Sequence, residues 1–201
     1  ETAVLLNIAP DHIDRHGSFE GYINTKAGLF ARQRAGSTAI VGFDDTEARS
    51  IYNALPNTLS RIAISSSTAL DNGVYVQSGQ LVDGLDRKRF TVSDLSSAPA
   101  LPGAHNWQNA AASYAVARIH GLDSQDIAAA FFTFTGLPHR QEVVGAYAGG
   151  TYVNDSKATN ADAAEKALSC YPCIYWIAGG QAKDGGISSL KGSFSQVRHA
   201  Y

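Results

Sequence analysis

Short apolar runs alternate with longer helical segments through the first third of this 201-residue chain. Residues 3–8 are typical of a buried strand, and residues 38–43 and 61–65 favour two further strands. Residues 18–33 and 45–54 have the length and pattern of helices. Strands that alternate with helices in this way form parallel sheets in which the helices are the crossover connections. The sequence therefore predicts an α/β fold built on a parallel sheet.

The pattern then changes. Two short apolar runs flank Ser78-Gly79 within residues 74–82, which predicts a hairpin, and residues 90–92 favour a third antiparallel strand. Helices are predicted again at residues 106–120 and 124–133. We therefore expect a small antiparallel hairpin region attached to the parallel sheet.

The run Gly136-Leu137-Pro138 interrupts the pattern and marks the predicted domain boundary, between residues 1–136 and 137–201. The elements predicted beyond it are a hairpin of residues 142–146 and 151–153, a helix at 161–169, a strand at 173–177 and a helix at 190–199. We expect most of one α/β domain followed by the first half of another.

Composition limits the classes of partner. The formal net charge is -2, so no strong attraction to nucleic acid or to an anionic membrane is expected. No apolar run approaches the ~20 residues of a membrane-spanning helix, and no signal peptide opens the chain, so we expect a cytoplasmic protein. Predicted elements lie directly against both ends, which indicates part of a longer protein.

Cys170 and Cys173 have a spacing that suits a redox pair or half of a zinc site. A zinc site needs further ligands, and the sequence contains no second pair of cysteines. The spacing leads into a predicted strand, where cysteine packs as a small apolar residue. We therefore favour a structural role.

The run Asn154-Asp155-Ser156-Lys157-Ala158-Thr159-Asn160 follows a predicted strand and precedes a predicted helix. This edge of a sheet is where α/β proteins bind ligands. Asp155 can accept from a sugar hydroxyl, Lys157 can bind a phosphate or carboxylate, and Thr159 lies where a helix N-terminus attracts anions. The alternative is a helix cap beside a solvated lysine, because Asp, Ser, Thr and Asn all cap helices well.

Acidic and imidazole side chains share the turn Asp11-His12-Ile13-Asp14-Arg15-His16, directly after the first predicted strand. Such side chains can hold a divalent cation. The alternative is a polar loop in which Asp14 pairs with Arg15 and the histidines are exposed. Lys26, on the next predicted helix, is by itself typical of a surface lysine.

Asn106 and Asn109 open an alanine-rich helix and lie on one face of it. An amide offers a donor and an acceptor, which matches the N6 and N7 edge of adenine. Asn106 could instead be an N-cap, whereas Asn109 lies inside the first turn. Arg140, at the predicted boundary, is either a surface hinge residue or a phosphate ligand.

Five segments, in the same order, resemble the Mur ligase family of peptidoglycan synthesis, and within it the ligases that add D-glutamate. They are residues 6–16, Lys26, residues 103–111, residues 136–140 and residues 154–160. Ordered matches along nearly the whole chain are more specific than any single motif. The resemblance implies a partial central ATP-binding domain, followed by part of a Rossmann-like α/β C-terminal ligase domain.

The resemblance also implies an activity. It is the joining of D-glutamate to UDP-N-acetylmuramoyl-L-alanine by a monomeric enzyme that uses ATP and Mg²⁺ and forms an acyl phosphate. His12 would bind the metal, and Lys26, converted by CO2 to a carbamate, would supply an oxygen ligand. The other implied site residues are Asn106, Asn109, Arg140 and Asp155 for the nucleotide, Lys157 for catalysis, and Thr159, Lys183 and His139 for the substrates.

One family feature does not occur in the sequence. The phosphate-binding loop ends in Gly-Lys-Ser/Thr, whereas Lys183 is followed by Asp184. In the family that loop lies upstream of the Asp-His turn, so this chain alone is expected to be inactive. The alternatives are another amino-acid ligase, such as a folylpolyglutamate synthase, and a metal-dependent phosphohydrolase built on Asp11, His12, Asp14 and His16.

Overall fold

The computed structural model describes residues 1–10, 13–86, 88–181 and 186–201. The chain divides into two compact units. The first consists of residues 1–98 and 104–133, and the second of residues 99–103 and 134–201. The predicted functional boundary after residue 136 stays a prediction.

A six-stranded sheet forms the first unit, with its strands in sequence order. They are β1 (Thr2–Leu5), β2 (Thr38–Gly42), β3 (Ser60–Ser65), β4 (Gly73–Gln77), β5 (Gln80–Asp83) and β6 (Phe90–Asp94). The first four strands pair in parallel, and β4, β5 and β6 pair antiparallel. The predicted α/β class, with a hairpin region attached to a parallel sheet, is confirmed.

The helices of the first unit are α1 (Ile13–His16), α2 (Phe19–Ala31), α3 (Thr46–Ala54), α4 (Ala104–Ile119) and α5 (Ser124–Thr133), with a 3-10 helix at Leu95–Ser97. Side-chain oxygens of Ser18 and Asp45 cap α2 and α3 by accepting from backbone N–H groups. No helix in the described part of the chain is long and apolar enough to span a membrane.

The strand β2, which lies between β1 and β3, is buried on both faces. Ala39 and Val41 belong to a cluster with residues of α2 and α3, and Ile40, which points the opposite way, is also fully buried. Helix α4 contacts β2, β3 and β4, and its alanine-rich surface is buried. Small side chains let α4 approach the sheet closely. The first turns of α4 lie near the carboxyl ends of the parallel strands.

The second unit contains two separate two-stranded sheets. An antiparallel hairpin pairs β7 (Glu142–Tyr147) with β8 (Gly150–Asn154). Helix α6 (Ala161–Leu168) follows, and then β9 (Ile174–Trp176), a 3-10 helix (Ser188–Gln196) and β10 (Val197–Ala200), which pairs parallel with β9. The hairpin turn holds Ala148 and Gly149 at φ of 50° and 80°, the backbone that a two-residue turn with matching twist requires.

Three predictions of local structure were wrong in type or extent. The helix predicted over residues 190–199 is a 3-10 helix that ends at Gln196, and Val197–Ala200 is a strand, because β9 offers it a hydrogen-bonding partner. The first strand ends at Leu5 rather than at residue 8, and residues 13–16 of the predicted polar turn form a short helix. The other predicted boundaries shift by at most two residues.

Cys170 and Cys173 are free thiols. Cys170 lies just after α6, where its thiol donates to the backbone oxygen of Lys166 at 3.1 Å. Burial raises the pKa of this thiol, which keeps it protonated and unreactive. This placement agrees with the structural role predicted for Cys170, whereas Cys173 is exposed and does not pack as a small apolar residue.

Candidate functional site

Polar side chains gather around Asp44 at the carboxyl ends of the parallel strands in the first unit. The carboxylate of Asp44, just after β2, accepts from the hydroxyls of Ser65, Ser66 and Ser67, from the backbone N–H of Ser66, and from the amide of Gln108 on α4. We call these five residues the Asp44 network. Sequence analysis did not identify Asp44 or Gln108, although an acidic pair directly after a strand was a usable signal.

The Asp44 network carries a stable negative charge. Burial raises the pKa of Asp44, but the hydrogen bonds from Ser65, Ser66 and Ser67 outweigh it and lower the pKa below the usual range. The serine hydroxyls, the Ser66 N–H and the Gln108 amide all donate to Asp44. This carboxylate therefore organises the surrounding loops rather than serving as a proton donor or acceptor.

Asn106 and Asn109 lie on one face of α4, as the spacing predicted. The side-chain nitrogen of Asn109 is 3.5 Å from the side-chain oxygen of Asn106, and Asn109 is exposed. The helix begins at Ala104, so the alternative in which Asn106 is the N-cap is wrong. The pair can present one donor and one acceptor to a planar ligand edge.

Lys26 is exposed on α2, and its ammonium lies 5.3 Å from the ring centroid of Tyr22. Tyr22 also packs edge-on against His16, which is half-buried rather than exposed, with ring centroids 5.1 Å apart. The contact between an ammonium and an aromatic face is favourable, so the charged form of Lys26 is stabilised. In that form the ammonium repels a metal ion. Lys26 therefore fits Mg²⁺ only as a carbamate.

His12, which was predicted to bind the metal together with Lys26, lies outside the described residues, as does Asp11. Within the part of the chain that the structure describes, no three His, Cys, Asp or Glu side chains are grouped to hold a metal ion. A carbamate on Lys26 would supply an oxygen ligand of the kind that suits a hard cation.

In the second unit, the His139-Arg140 turn and the run that begins at Asn154 lie side by side. The backbone N–H of Lys157 donates to the oxygen of His139 at 3.1 Å, and the backbone N–H of Gln141 donates to Asp155 at 3.1 Å. The side chain of Asn154 is 2.9 Å from the His139 ring. Two motifs that are separate in the sequence thus form one polar surface.

The backbone of this turn is held in an uncommon conformation. His139 and Gln141 have φ values of 63° and 47°, which non-glycine residues rarely adopt. The backbone N–H of His139 donates to the carboxylate of Glu142 at 2.9 Å, so the turn is fixed from both sides. Strained residues that their surroundings fix in this way cluster at functional sites.

Lys157 and Thr159 are exposed beyond β8, and Asn160 is the residue that caps α6, by accepting from the N–H of Ala163 at 2.8 Å. The helix-capping alternative is therefore right for Asn160. It is wrong for Asp155 and Thr159, whose side chains do not cap α6. Lys183 lies outside the described residues.

Asp155 is half-buried, and its ionised form is costly. Burial raises the pKa of Asp155, while the hydrogen bond from Gln141 and the charge of Arg140 only partly oppose that effect. A carboxyl whose pKa is higher in the folded than in the unfolded chain destabilises the fold when it is ionised, at pH values above the folded pKa. This destabilisation disappears as the pH falls from the folded to the unfolded pKa. Asp155 therefore does not stabilise the fold in its ionised form, a cost that is typical of functional sites.

We therefore expect Asp155→Asn to unfold at a temperature equal to or above that of the unchanged protein at about pH 7, since it keeps the acceptor for Gln141 and removes the buried charge. The difference in unfolding temperature between the variant and the unchanged protein should become smaller as the pH falls toward the usual pKa of a carboxyl group. Asp162→Asn, which removes an exposed ion pair with Lys166, is the matched control. A lower unfolding temperature for Asp155→Asn at neutral pH would contradict this assignment.

Comparison with known proteins identifies the family. The Mur ligase middle domain family matches residues 1–117. The chain belongs to the Mur ligase family. The UDP-N-acetylmuramoylalanine--D-glutamate ligases of Rhodospirillum rubrum and Caulobacter vibrioides are 49% and 48% identical to it over 203 residues, which cover 100% of this chain and 43% of each relative. The chain thus spans less than half the length of these curated Mur ligases.

Solved Mur ligases share its fold. MurF from Acinetobacter baumannii matches with a TM-score of 0.65 and 20% identity, over 84% of this chain and 36% of that one. The UDP-N-acetylmuramate-alanine ligase of Thermotoga maritima matches with a TM-score of 0.64 and 13% identity, over 99% and 44%. At these identities the likeness concerns the Mur ligase fold alone, and it confirms the predicted architecture.

Proposed function

We propose that the protein containing this chain is an ATP-dependent ligase that joins D-glutamate to UDP-N-acetylmuramoyl-L-alanine. Relatives named for that reaction are up to 49% identical over the whole chain. The observation that carries the proposal is the polar surface of the second unit, where His139 and Gln141 are hydrogen-bonded to the Asn154–Lys157 run. The charge of Arg140 acts on the half-buried Asp155, and Lys157 is exposed on the same run. This combination of side chains suits a phosphorylated ligand.

We propose the following roles for these groups. Asp155 accepts from the ribose hydroxyls, and Arg140 binds the phosphates, for which its planar donors are suited. Lys157 offsets the negative charge that develops as the phosphoryl group moves to the alanyl carboxylate and gives an acyl phosphate and ADP. The amine of D-glutamate then attacks the acyl carbon and releases phosphate, with His139, Thr159 and Lys183 holding the substrates.

In the first unit, Asn106 and Asn109 bind the adenine edge. His12 and Lys26, as its carbamate, hold the Mg²⁺ that neutralises phosphate charge in such reactions. The proposed functional domains are residues 1–136 for the nucleotide and 137–201 for the ligation chemistry. We also propose a monomeric protein in the cytoplasm. The free thiols of Cys170 and Cys173 fit a reducing compartment that supplies ATP.

Asn109→Ala and Asp155→Ala should each raise the Michaelis constant for ATP more than that for D-glutamate. Each change removes a contact to the nucleotide and not to the reacting bond. A lost hydrogen bond to a neutral group costs ~0.5–1.5 kcal/mol, a few-fold to about tenfold effect. Steady-state kinetics of the full-length protein tests both variants, and a selective rise for D-glutamate would show that these residues serve the other substrate.

Phosphate release distinguishes this proposal from a metal-dependent phosphohydrolase. A ligase releases phosphate from ATP only when both the UDP-linked substrate and the amino acid are present. A phosphohydrolase built on the Asp-His turn would release phosphate from simple esters with neither of them. Measuring phosphate with each component omitted in turn therefore tests the proposed function.

A further inference from the structure

Gln108 connects α4 to two loops at the edge of the parallel sheet. Its side chain is 4% exposed, its amide oxygen accepts from Asn7 at 3.0 Å, and its amide nitrogen donates to Asp44 at 2.9 Å. Asn7 lies just after β1, and Asp44 lies just after β2. One buried amide thus joins three elements that are far apart in the sequence.

The partners of Gln108 are themselves fixed. Asp44 is held by the hydroxyls of Ser65, Ser66 and Ser67, and the loop after β1 is held by the carboxylate of Asp45, which accepts from the backbone N–H of Ile8 at 3.2 Å. A hydrogen bond to a charged acceptor is also stronger than one between neutral groups. Gln108 is therefore anchored to a rigid part of the fold.

The anchor lies on the same turns of α4 as the two asparagines, but on a different side. At about 100° per residue, Gln108 lies about 200° from Asn106, whereas Asn106 and Asn109 are only about 60° apart. A rotation of α4 by about 20° would move a side-chain tip at a radius of about 5 Å by about 2 Å. That shift is large enough to break a hydrogen bond.

A buried amide is not needed to hold α4 on the sheet, because the alanine-rich surface of the helix already packs there. Alanine side chains are small and nearly alike, so they fix the rotation of a helix weakly. A polar side chain with two oriented partners has one favourable geometry, and buried polar groups can specify a unique arrangement in this way.

We propose that Gln108 is a positioning residue for adenine recognition. It fixes the rotation of α4 so that Asn106 and Asn109 meet the N6 and N7 edge of the base, without touching the nucleotide itself. This inference rests on the proposed function, in which those two asparagines bind adenine.

The test is base discrimination by the full-length protein. Calorimetry with Mg²⁺ gives the dissociation constants of ADP and of IDP, in which a carbonyl oxygen replaces the N6 amino group. The unchanged protein should bind ADP more tightly. Gln108→Leu removes both hydrogen bonds and should lower the IDP-to-ADP ratio of dissociation constants by about tenfold, while IDP binding changes by less than about twofold. Gln125→Leu, the same substitution at an exposed position of α5, is the matched control.

Gln108→Glu keeps the acceptor for Asn7 and loses the donor to Asp44, so it should lose discrimination as well. This nearly isosteric variant carries the test if Gln108→Leu does not fold, which thermal unfolding will reveal. An unchanged ratio in a folded variant would overturn the inference, and so would equal weakening of ADP and IDP, which indicates only a structural role. If the unchanged protein bound neither nucleotide, the proposed function itself would fail.

Discussion

Replacing Lys26 with alanine in the full-length protein is expected to lower the rate of ligation by about a hundredfold or more, with acetate restoring part of it. An effect of that size is typical of losing one group that stabilises charge in the transition state. If Lys26 acts as a carbamate, a free carboxylate can occupy the vacated position as an oxygen ligand. Initial rates with and without acetate measure both effects.

Arg32→Ala is the matched control, because Arg32 is an exposed cation just after the end of the same helix. Its removal should leave the rate nearly unchanged with or without acetate. Activity of Lys26→Ala at the level of the unchanged protein would exclude a role for Lys26. Loss of activity that no small carboxylate restores would speak against the carbamate.

Asp83→Ala should cause a large loss of stability. Asp83 is 1% exposed and accepts from the hydroxyl of Tyr114 at 2.7 Å, from Arg118 at 3.1 Å and from the backbone N–H of Leu85 at 2.8 Å. Removing one partner of a buried ion pair leaves the others desolvated and costs about 3–5 kcal/mol. The free energy of unfolding in urea should fall by that amount.

Asp86→Ala provides the comparison, because Asp86 is an exposed carboxylate whose oxygen lies 3.8 Å from the same Arg118. A surface ion pair of this kind contributes about 0–1 kcal/mol. Burial raises the pKa of Tyr114, so the phenol stays protonated and donates to Asp83 at any ordinary pH. Equal effects of Asp83→Ala and Asp86→Ala would mean that the buried cluster does not stabilise the fold.

Local patterns predicted most of the fold. The apolar run of residues 38–43 indicated the strand β2, and Ser78-Gly79 indicated the turn that the structure forms with φ of 50° and 81°. Residues 197–200 could not be assigned in this way, because four residues carry little periodicity. Their strand depends on pairing with β9, which is a tertiary interaction.

The candidate site was predicted less completely than the fold. The contact between the His139 turn and Asp155 was within reach of the sequence, since the hairpin that pairs Glu142 with Asn154 continues directly into both. The hydrogen bonds of Gln108 were not predictable, because its partners lie 101 and 64 residues away on two separate loops. Spacing identifies residues on one element, but it does not identify partners that only the folded sheet edge brings together.

The most direct test of the proposed reaction follows the oxygen atoms of the alanyl carboxylate. UDP-N-acetylmuramoyl-L-alanine labelled with ¹⁸O in that carboxylate is incubated with the full-length protein, ATP, Mg²⁺ and either D- or L-glutamate. An acyl phosphate predicts that one labelled oxygen passes to each phosphate released, together with one amide product, and that this happens with D-glutamate only. Unlabelled phosphate, or phosphate formed without an amino acid, would contradict the account.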